Sequence, residues 1–389
     1  MSKRRAAGLT GALALVIGLG TACADAGSAA GPKGTTPGAN VEHATSQVQS
    51  HRTSSTAVKA PAAAIPGLDK LRGKTVGYIP ITLKATYFQA QLEQLTEALT
   101  PLGVRVQACD AQAQPTVATQ CLNQAVAAGS AGIITDSVPF ALARNAYAAA
   151  VNANIPVVAS DVSDALPPEW RGKVVETNNG QDVGGRLMAD AIISDSKGSA
   201  NVLFANTTST STTQKSSDAV QDEFAKYCQG CKVTTVAWDA TAVQKIPTAV
   251  SVALNADPSI GYVFASYDQP AGPLVIQGMQ LSGRNRSLKL VGYGADVSAM
   301  QRISTGAQLA DVAADPALVA WNNADRLLRM TAGQQPPGDD GYTTPRRVFD
   351  STNIRTVNGS SVDAFKNGSW FTDGSFRKTY QELWGVPAA

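Results

Sequence analysis

Histidine is almost absent from this chain, and its scarcity excludes several kinds of enzyme. The 389 residues include two histidines, His43 and His51, and both fall in an N-terminal segment that we expect to be unfolded. A globular part without histidine has no Ser-His-Asp triad, no histidine general base and no histidine metal ligand. The chain also lacks the Gly-x-Ser-x-Gly motif of a nucleophilic serine. We therefore expect no enzymatic activity, no metal site and no cofactor.

Excess charge and long apolar runs are lacking as well. The formal net charge is +2, with both signs interspersed along the chain, so no long-range attraction to nucleic acid is expected. After residue 23, no apolar run approaches the roughly 20 residues that a transmembrane helix requires. The sequence therefore predicts a soluble folded part that does not bind nucleic acid.

The N-terminus resembles a bacterial lipoprotein signal. Basic residues 3–5 precede an apolar stretch over 9–19, small residues follow, and Cys23 comes next. The stretch is too short for a stable transmembrane anchor. The resemblance implies that residues 1–22 are removed and that the Cys23 thiol is lipidated, although Gly20 stands where the pattern prefers Leu. The alternative is an ordinary secretory peptide cut nearby, and both alternatives predict export.

Residues 23–67 are predicted to be the lipidated cysteine and a disordered tether. This segment is rich in Ala, Gly, Ser, Thr and Pro and has almost no large apolar residues. Such a composition does not bury enough surface to offset the entropy of ordering the chain. A flexible tether of this length has a root-mean-square reach of roughly 35–40 Å, which would hold a folded domain clear of a membrane.

Four further cysteines suggest disulfide bonds, because an exported chain meets an oxidising compartment. Four cysteines allow three pairings, and we predict the local one, Cys109 with Cys121 and Cys228 with Cys231. The second pair also has the spacing of a redox or zinc motif. With no histidine or second pair nearby, and with a helix ending and a strand beginning there, a structural disulfide is the better interpretation.

From residue 74 onward, short apolar strands alternate with helical segments, and the alternation restarts near residue 184. Such a pattern is typical of parallel sheets covered by helices. Two successive arrays predict an α/β fold with two Rossmann-like lobes. We expect the first lobe to comprise residues 68–177 and 306–343, and the second lobe 178–305 and 344–389. In parallel sheets, ligands bind beyond the carboxyl ends of the strands.

The folded part resembles the type I solute-binding proteins of ABC transporters, in the cluster of ribose- and xylose-binding proteins. The resemblance covers residues 74 to about 335. Its motifs occur in the family's order: Tyr87-Phe88 after the first strand, residues 112–132, residues 155–161, Asn178-Asn179 followed by Gly184-Gly185, residues 264–268, and residues 291–293.

The resemblance implies two lobes that close on a small ligand across a three-strand hinge. The hinge strands are expected near 177–180, 304–309 and 343–348. Sugars in this family lie between aromatic rings while polar groups bond their hydroxyls. The implied ligand-binding residues are Tyr87, Phe88, Asp161, Trp238, Tyr267, Asp268 and Asp296.

Departures from the family's pattern bear on the identity of the ligand. Val162 replaces an arginine, Tyr267 replaces a pocket asparagine, and Gly294 replaces a carboxylate for which Asp296 could substitute. The hydroxyl-rich loop 206–213 lacks the family's ligand-binding arginine. A simple pentose is therefore one option among modified sugars, polyols, glycosides and aromatic small molecules.

The leading hypothesis is a monomeric, lipid-anchored protein on the outer face of the cell membrane that delivers a sugar-like ligand to an ABC permease. A sensory lipoprotein that presents ligand to a membrane receptor would have the same fold and is the alternative. An exported enzyme with Asp161 and Asp164 as paired carboxylates is a third and weaker option.

Overall fold

The computed structural model describes residues 37–55, 58–239 and 242–386. Cys23 and the predicted signal peptide lie outside these residues. The described chain forms two α/β lobes, each built on one sheet, as predicted. None of the helices in the described part combines the length and the apolar character that a membrane crossing requires.

The first lobe contains a parallel sheet of five strands. These are β1 (Thr75–Pro80), β2 (Arg105–Ala108), β3 (Gly132–Asp136), β4 (Val157–Ser160) and β5 (Val174–Glu176). Their order is β2-β1-β3-β4-β5. Strands β3 and β4 are buried along their whole length, which is why their apolar residues are consecutive rather than alternating and polar residues stand only at their carboxyl ends.

The second lobe contains a sheet of six strands. These are β6 (Asn201–Asn206), β7 (Lys232–Ala237), β8 (Tyr262–Ala265), β9 (Lys289–Tyr293), β10 (Ala310–Ala314) and β11 (Arg346–Asp350). Their order is β11-β10-β9-β8-β6-β7, and every neighbouring pair is parallel except β10 and β11. The antiparallel β11 brings its amino end to the edge where the parallel strands have their carboxyl ends.

Twelve α-helices are found in the described residues. They are α1 (Pro37–Ser50), α2 (Thr86–Leu99), α3 (Pro115–Ala127), α4 (Arg144–Asn152), α5 (Gln181–Ser196), α6 (Ser211–Tyr227), α7 (Ile246–Ala256), α8 (Ala271–Leu281), α9 (Val297–Ser304), α10 (Pro316–Thr331), α11 (Val362–Lys366) and α12 (Phe376–Leu383). Short 3₁₀ helices lie at Leu68–Leu71, Thr100–Leu102, Phe140–Leu142, Pro168–Trp170, Val243–Lys245, Asp339–Gly341 and Ile354–Thr356.

The boundaries between the lobes differ from the predicted ones in two places. Strand β10 pairs with β9 and β11 and so belongs to the second lobe, although it falls within the predicted 306–343 part of the first. The chain therefore crosses at Asp315 instead of at 304–309. Helix α12, predicted to lie in the second lobe, packs in the core of the first. Residues 177–180 connect β5 to α5, and residues 343–345 lead into β11.

An aromatic cluster explains the position of α12. The side chain of Trp321 on α10 is fully buried, and its ring stacks on Trp384 with centroids 5.4 Å apart. Phe376 and Tyr380 pack beside it. Because Phe376, Tyr380 and Trp384 are four residues apart, they lie on one face of the C-terminal helical turn. Such ring pairs contribute about 0.5–1.5 kcal/mol each beyond their burial.

The N-terminal segment is folded where the structure describes it, which contradicts the prediction of a disordered tether for residues 37–55 and 58–67. Helix α1 packs against α5 and α6 of the second lobe, burying Asn40, Ala44 and Val48 at helical spacing. Residues 58–65 pack on the first lobe, where Ile65 is buried. Composition alone is misleading here, because the apolar partner surface is supplied by the lobes rather than by the segment itself.

Both predicted disulfide pairings are confirmed. The Cys109–Cys121 bond joins the residue after β2 to helix α3, with the Cα atoms 5.6 Å apart. The Cys228–Cys231 bond closes the turn between α6 and β7, with the Cα atoms 5.2 Å apart. The second pair therefore has the structural role that its place between a helix and a strand indicates.

Candidate ligand-binding site

Two buried aspartates lie at the carboxyl edge of the first sheet. Asp136 ends β3 and Asp161 follows β4, and their exposed fractions are 0% and 3%. Burial raises the pKa of Asp136 well above its ordinary value, and the negative charge of Asp161 raises it further. Burial also raises the pKa of Asp161. Carboxyl groups at this edge can accept hydrogen bonds from the hydroxyls of a ligand.

Asp161 is the centre of a hydrogen-bond network that includes both lobes. Its Oδ1 accepts from Asn179 Nδ2 at 3.0 Å and from Gln181 Nε2 at 3.2 Å. The Tyr87 hydroxyl donates to its Oδ2 at 3.5 Å, and Thr212 at the start of α6 donates to its main-chain oxygen at 2.7 Å. The residue therefore fixes the crossover into the second lobe as well as the edge of the first sheet.

Aromatic side chains enter the same region from each lobe. In the first lobe, the rings of Tyr87 and Phe88 meet edge to face with centroids 5.4 Å apart. In the second lobe, Tyr267 and Tyr293 do the same at 5.5 Å. Burial and then the charge of Asp161 raise the pKa of Tyr87 well above its ordinary value. Its hydroxyl stays protonated near neutral pH and is a neutral hydrogen-bonding group.

A close packing of glycine against tyrosine holds the second-lobe rings in place. A Cβ on Gly184 would lie 2.6 Å from the ring of Tyr293, so only glycine permits this approach of α5 to β9. The Tyr293 hydroxyl then donates to Gln181 Oε1 at 2.8 Å. Gln181 thus joins Tyr293 to Asp161 across the crossover. This contact explains why the first residue of the Gly184-Gly185 pair is a glycine.

Arg346 supplies a cation that sequence reasoning missed. It lies at the amino end of β11 with 5% of its surface exposed. Its guanidinium donates to the main-chain oxygens of Asn179 and Gly180, and its Cζ lies 5.8 Å from the centroid of the Tyr293 ring. The charge of Arg346 opposes the rise in the pKa of Asp161 that burial causes. The site therefore contains an arginine, although not in the loops where the family pattern has one.

Buried polar atoms without a hydrogen-bond partner concentrate on residues near this edge. In the described chain, six of the nine residues that carry such atoms lie at strand ends or on the adjoining α2. They are Gln91 (both amide atoms), Asp136, Ser163, Trp238, Ser266 and Arg346. Buried polar atoms are ordinarily paired, so each unpaired one requires an explanation. Their chemistry, with hydroxyl, amide, indole and charged groups, suits a ligand that carries several hydroxyls.

The predicted site residues fall into two groups in the structure. Tyr87 contacts both Asp161 and Phe88. Tyr267 packs against Tyr293, which is joined to Asp161 through Gln181. Trp238 follows β7, is partly buried against the core of the second lobe and has an unpaired Nε1. The roles of these five residues in binding stay predictions.

The other two predicted residues, Asp268 and Asp296, have partners within the second lobe. Asp268 accepts from the Ala295 main-chain nitrogen at 2.8 Å, and burial raises its pKa to about 6. Asp296 is the N-cap of α9 and accepts from the Ala299 nitrogen at 2.7 Å. Gln269 donates to its second oxygen at 3.1 Å. The structure therefore engages both carboxylates in contacts that hold loops of the second lobe.

Sequence reasoning missed Gln91, Gln181, Tyr293 and Arg346 as candidates. Gln91 lies on α2 one helical turn after Tyr87, on the buried face of the helix, and this spacing could have indicated it. Tyr293 ends β9, and the carboxyl-edge rule also applies to it. Arg346 could not be found this way, since its strand runs against the others.

Comparison with known proteins agrees with this architecture. A periplasmic binding protein domain matches residues 76–335, and the chain belongs to this family. Its members are exported binding proteins rather than enzymes, and the resemblance to type I solute-binding proteins is thereby confirmed. Comparison with curated protein sequences finds no match.

Solved structures show the same fold at low sequence identity. One is a 5-methylthioribose transporter solute-binding protein from Thermotoga lettingae, 16% identical, with a TM-score of 0.66 over 83% of this chain and 99% of that one. A Caulobacter myo-inositol binding protein is 20% identical, with a TM-score of 0.65 over 74% and 98% of the two chains. A periplasmic solute-binding protein from Actinobacillus succinogenes with bound D-allose is 18% identical, with a TM-score of 0.64 over 73% and 100%.

Proposed function

We propose that this protein is an extracytoplasmic solute-binding lipoprotein that captures a sugar or sugar-like molecule and delivers it to an ABC permease. The observation that carries the proposal is the set of buried, unpaired polar atoms on Gln91, Asp136, Ser163, Trp238, Ser266 and Arg346. These atoms supply donors and acceptors at the sheet edges where ligands of α/β proteins bind.

The chemistry of the site favours a largely neutral, polyhydroxylated ligand. The carboxyls of Asp136 and Asp161 accept hydroxyl hydrogen bonds, the Gln91 amide both donates and accepts, and the guanidinium of Arg346 donates. The Tyr87 and Phe88 rings offer apolar faces to the C–H surface of a sugar ring. Among the structural neighbours, the ligands are myo-inositol, D-allose and 5-methylthioribose, all of which carry several hydroxyls.

Contacts between the lobes support capture by closure. Thr212 of the second lobe donates to the main-chain oxygen of Asp161 in the first, and the main-chain nitrogen of Ser163 donates to Ser211 Oγ at 3.3 Å. A ligand that contacts both lobes would add to these few polar contacts and so favour the closed state. Each ligand group that bridges the lobes therefore contributes to affinity and to closure together.

The lipid anchor is the second part of the proposal. It rests on the sequence around Cys23, which resembles a lipoprotein signal. Replacing Cys23 by Ala should release the protein from the membrane fraction or leave an unprocessed precursor. Mass spectrometry of the mature protein tests this directly, and an unmodified N-terminus at another residue would contradict the anchor while leaving the binding function untouched.

A thermal-shift screen of the purified chain tests the binding function. The panel should contain D-allose, D-tagatose, myo-inositol, 5-methylthioribose and simple pentoses, with amino acids and aromatic acids as negative controls. A ligand at 100 times its dissociation constant adds about 2.7 kcal/mol to the free energy of unfolding, which is a clear rise in melting temperature. The shift should disappear in a double variant in which Asp136→Asn and Arg346→Gln are combined. A panel with no sugar or polyol shift would contradict the ligand class.

A further inference from the structure

Away from the ligand-binding site, three helices bring metal-ligand side chains together. His43 on α1, Asp190 on α5 and Glu223 on α6 each offer one ligand atom, and these atoms lie within 4.8 Å of one another. Asp190 is nine residues after Gln181, so it lies roughly 14 Å further along α5 from the ligand-binding site. No other group of three His, Cys, Asp or Glu side chains in the described part of the chain converges in this way.

The two carboxylates of this group are buried and incompletely paired. Asp190 is 1% exposed and Glu223 is 5% exposed, and Asp190 Oδ1 has no hydrogen-bond partner. A buried acceptor with no donor is costly, and a second carboxylate beside it adds repulsion. A cation bound between the two carboxyl groups would relieve this repulsion and pair the free oxygen of Asp190.

The spacing of the ligand atoms matches one small metal ion. Zinc binds imidazole nitrogen and carboxylate oxygen at about 2.0–2.2 Å, and tetrahedral bonds of that length place two ligand atoms roughly 3.3–3.6 Å apart. His43 Nε2 lies 3.3 Å from Glu223 Oε1. The ligand atom of Asp190 lies within 4.8 Å of the other two, so zinc binding would draw the Asp190 carboxyl toward the same centre.

We propose that His43, Asp190 and Glu223 form a Zn²⁺ site that fastens helix α1 to the second lobe. One imidazole and two carboxylates with an open fourth position are a ligand set that zinc accepts. The imidazole disfavours Mg²⁺ and Ca²⁺, which prefer all-oxygen surroundings. The ion would neutralise the two buried carboxylates and take the position of the proton in the His43–Glu223 contact.

The surroundings support this assignment. The His43 ring stacks on Tyr227 with centroids 4.0 Å apart, which fixes its orientation toward Glu223. A cavity of about 280 Å³ adjoins the three ligands and leaves room for a water in the fourth position. The cations that line the cavity are Arg186 and Lys226. Arg186 is held by Asp182 at 2.9 Å, and Lys226 Nζ lies 4.8 Å from the centroid of the Tyr227 ring.

Zinc binding would hold helix α1 against the second lobe. Helix α1 otherwise docks through the small apolar side chains of Ala44 and Val48. Metal binding that requires all three helices stabilises the docked helix by the free energy of binding. Zinc should therefore protect the amides of α1 from hydrogen exchange while leaving those of α10, in the other lobe, unchanged.

Calorimetric titration of ZnCl₂ into the tag-free, EDTA-treated mature chain tests the proposal. We expect one Zn²⁺ per chain, no binding of Mg²⁺, and X-ray absorption that reports one imidazole among oxygen ligands. His43→Gln should weaken binding at least 30-fold. His51→Gln is the matched control, because His51 lies on the same segment with its ring bonded to the Gln47 carbonyl, and it should bind like the wild type.

Several outcomes would overturn the site. These are no zinc binding, equal binding by the wild type and His43→Gln, or loss of binding in His51→Gln. Zinc that binds without protecting α1 would also refute it. A loss of zinc binding in His43→Gln should not come from unfolding, because the His43 side chain is one-third exposed. Circular dichroism of this variant checks that it is folded. Glu223→Gln should also weaken zinc binding, and its circular dichroism spectrum shows whether the variant keeps the native fold.

Discussion

Replacing Asp161 by Asn separates a ligand-binding role from a structural one. The carboxylate accepts from the side chains of Asn179 and Gln181 on one oxygen and faces Tyr87 with the other. Asparagine has the same shape, and its carbonyl oxygen can keep the two amide bonds. The substitution therefore changes the charge and one acceptor without opening a cavity.

The sign of the stability effect follows from the pKa. Burial raises the pKa of Asp161, and the bonds from Gln181 and Asn179 and the charge of Arg346 only partly oppose this rise. A carboxyl group with a raised folded-state pKa stabilises the fold below its unfolded pKa, and this contribution is lost as the pH rises through the folded value. At neutral pH, above the unfolded pKa, the buried carboxyl group therefore costs stability. Asp161→Asn should leave the ligand-free protein as stable as the wild type or more stable.

Ligand affinity should change in the opposite direction. A hydroxyl bonded to a charged acceptor is worth more than one bonded to an amide by about 1–2 kcal/mol, which corresponds to a roughly 5- to 30-fold rise in the dissociation constant. The measurements are calorimetric titration with the sugar found in the screen and urea unfolding of the ligand-free protein at neutral pH. Asp164→Asn is the control, since that carboxylate accepts from the Phe140 nitrogen away from the network.

The reasoning would be refuted by a large loss of ligand-free stability together with unchanged affinity. That result would make Asp161 a structural residue that holds the crossover. A similar loss of affinity in Asp164→Asn would mean that the effect is not specific to the network.

Three further predictions test other parts of the structure. Trp238→Ala should weaken ligand binding by about 2–4 kcal/mol with little change in the ligand-free melting curve, whereas a large fall in melting temperature at unchanged affinity would make the ring a core residue. Burial raises the pKa of Asp315 to about 6, so its stabilising contribution is present below the unfolded pKa and lost as the pH rises through 6. Asp315→Asn keeps the cap of α10 and should raise the free energy of unfolding at pH 8 by up to about 3 kcal/mol; an unchanged pH dependence between pH 4 and 8 in urea unfolding would contradict this. Removal of Cys109–Cys121 should cost about 3 kcal/mol and removal of Cys228–Cys231 about 2 kcal/mol, because the chain segment that the bond closes is shorter in the second; denaturation of the two Cys→Ser double variants compares them, and the reverse order would argue against the loop-length account.

The architecture could be predicted because its signals are local. Continuous apolar strands such as β3 and β4 alternate with helices that end at glycine, and this pattern specifies parallel sheets. The disulfides followed from short sequence separations. The assignment of β10 to a lobe could not be predicted, since Ala310–Ala314 is buried along its length and fits either sheet equally well.

Residues of the candidate site can be predicted from the sequence only where they follow a parallel strand. Asp161 directly follows β4 and Tyr267 comes two residues after β8, so the carboxyl-edge rule indicates both of them. Arg346 starts a strand instead of following one, and its position at the same edge depends on the antiparallel pairing of β11 with β10. That pairing is a long-range property of the fold, and it brings a cation to the carboxyl edge of the second sheet.

The N-terminal segment marks the limit of arguments from composition. Residues 37–50 contain too few apolar side chains to fold alone, yet Asn40, Ala44 and Val48 recur every fourth residue. Small side chains at that spacing allow α1 to lie close to α5. Because the surface of α5 is already ordered, docking costs only the conformational entropy of α1. Periodicity predicts docking in such a case, whereas composition predicts disorder. The same docking brings His43 to Glu223, so a histidine that composition places outside the fold becomes part of a candidate metal site.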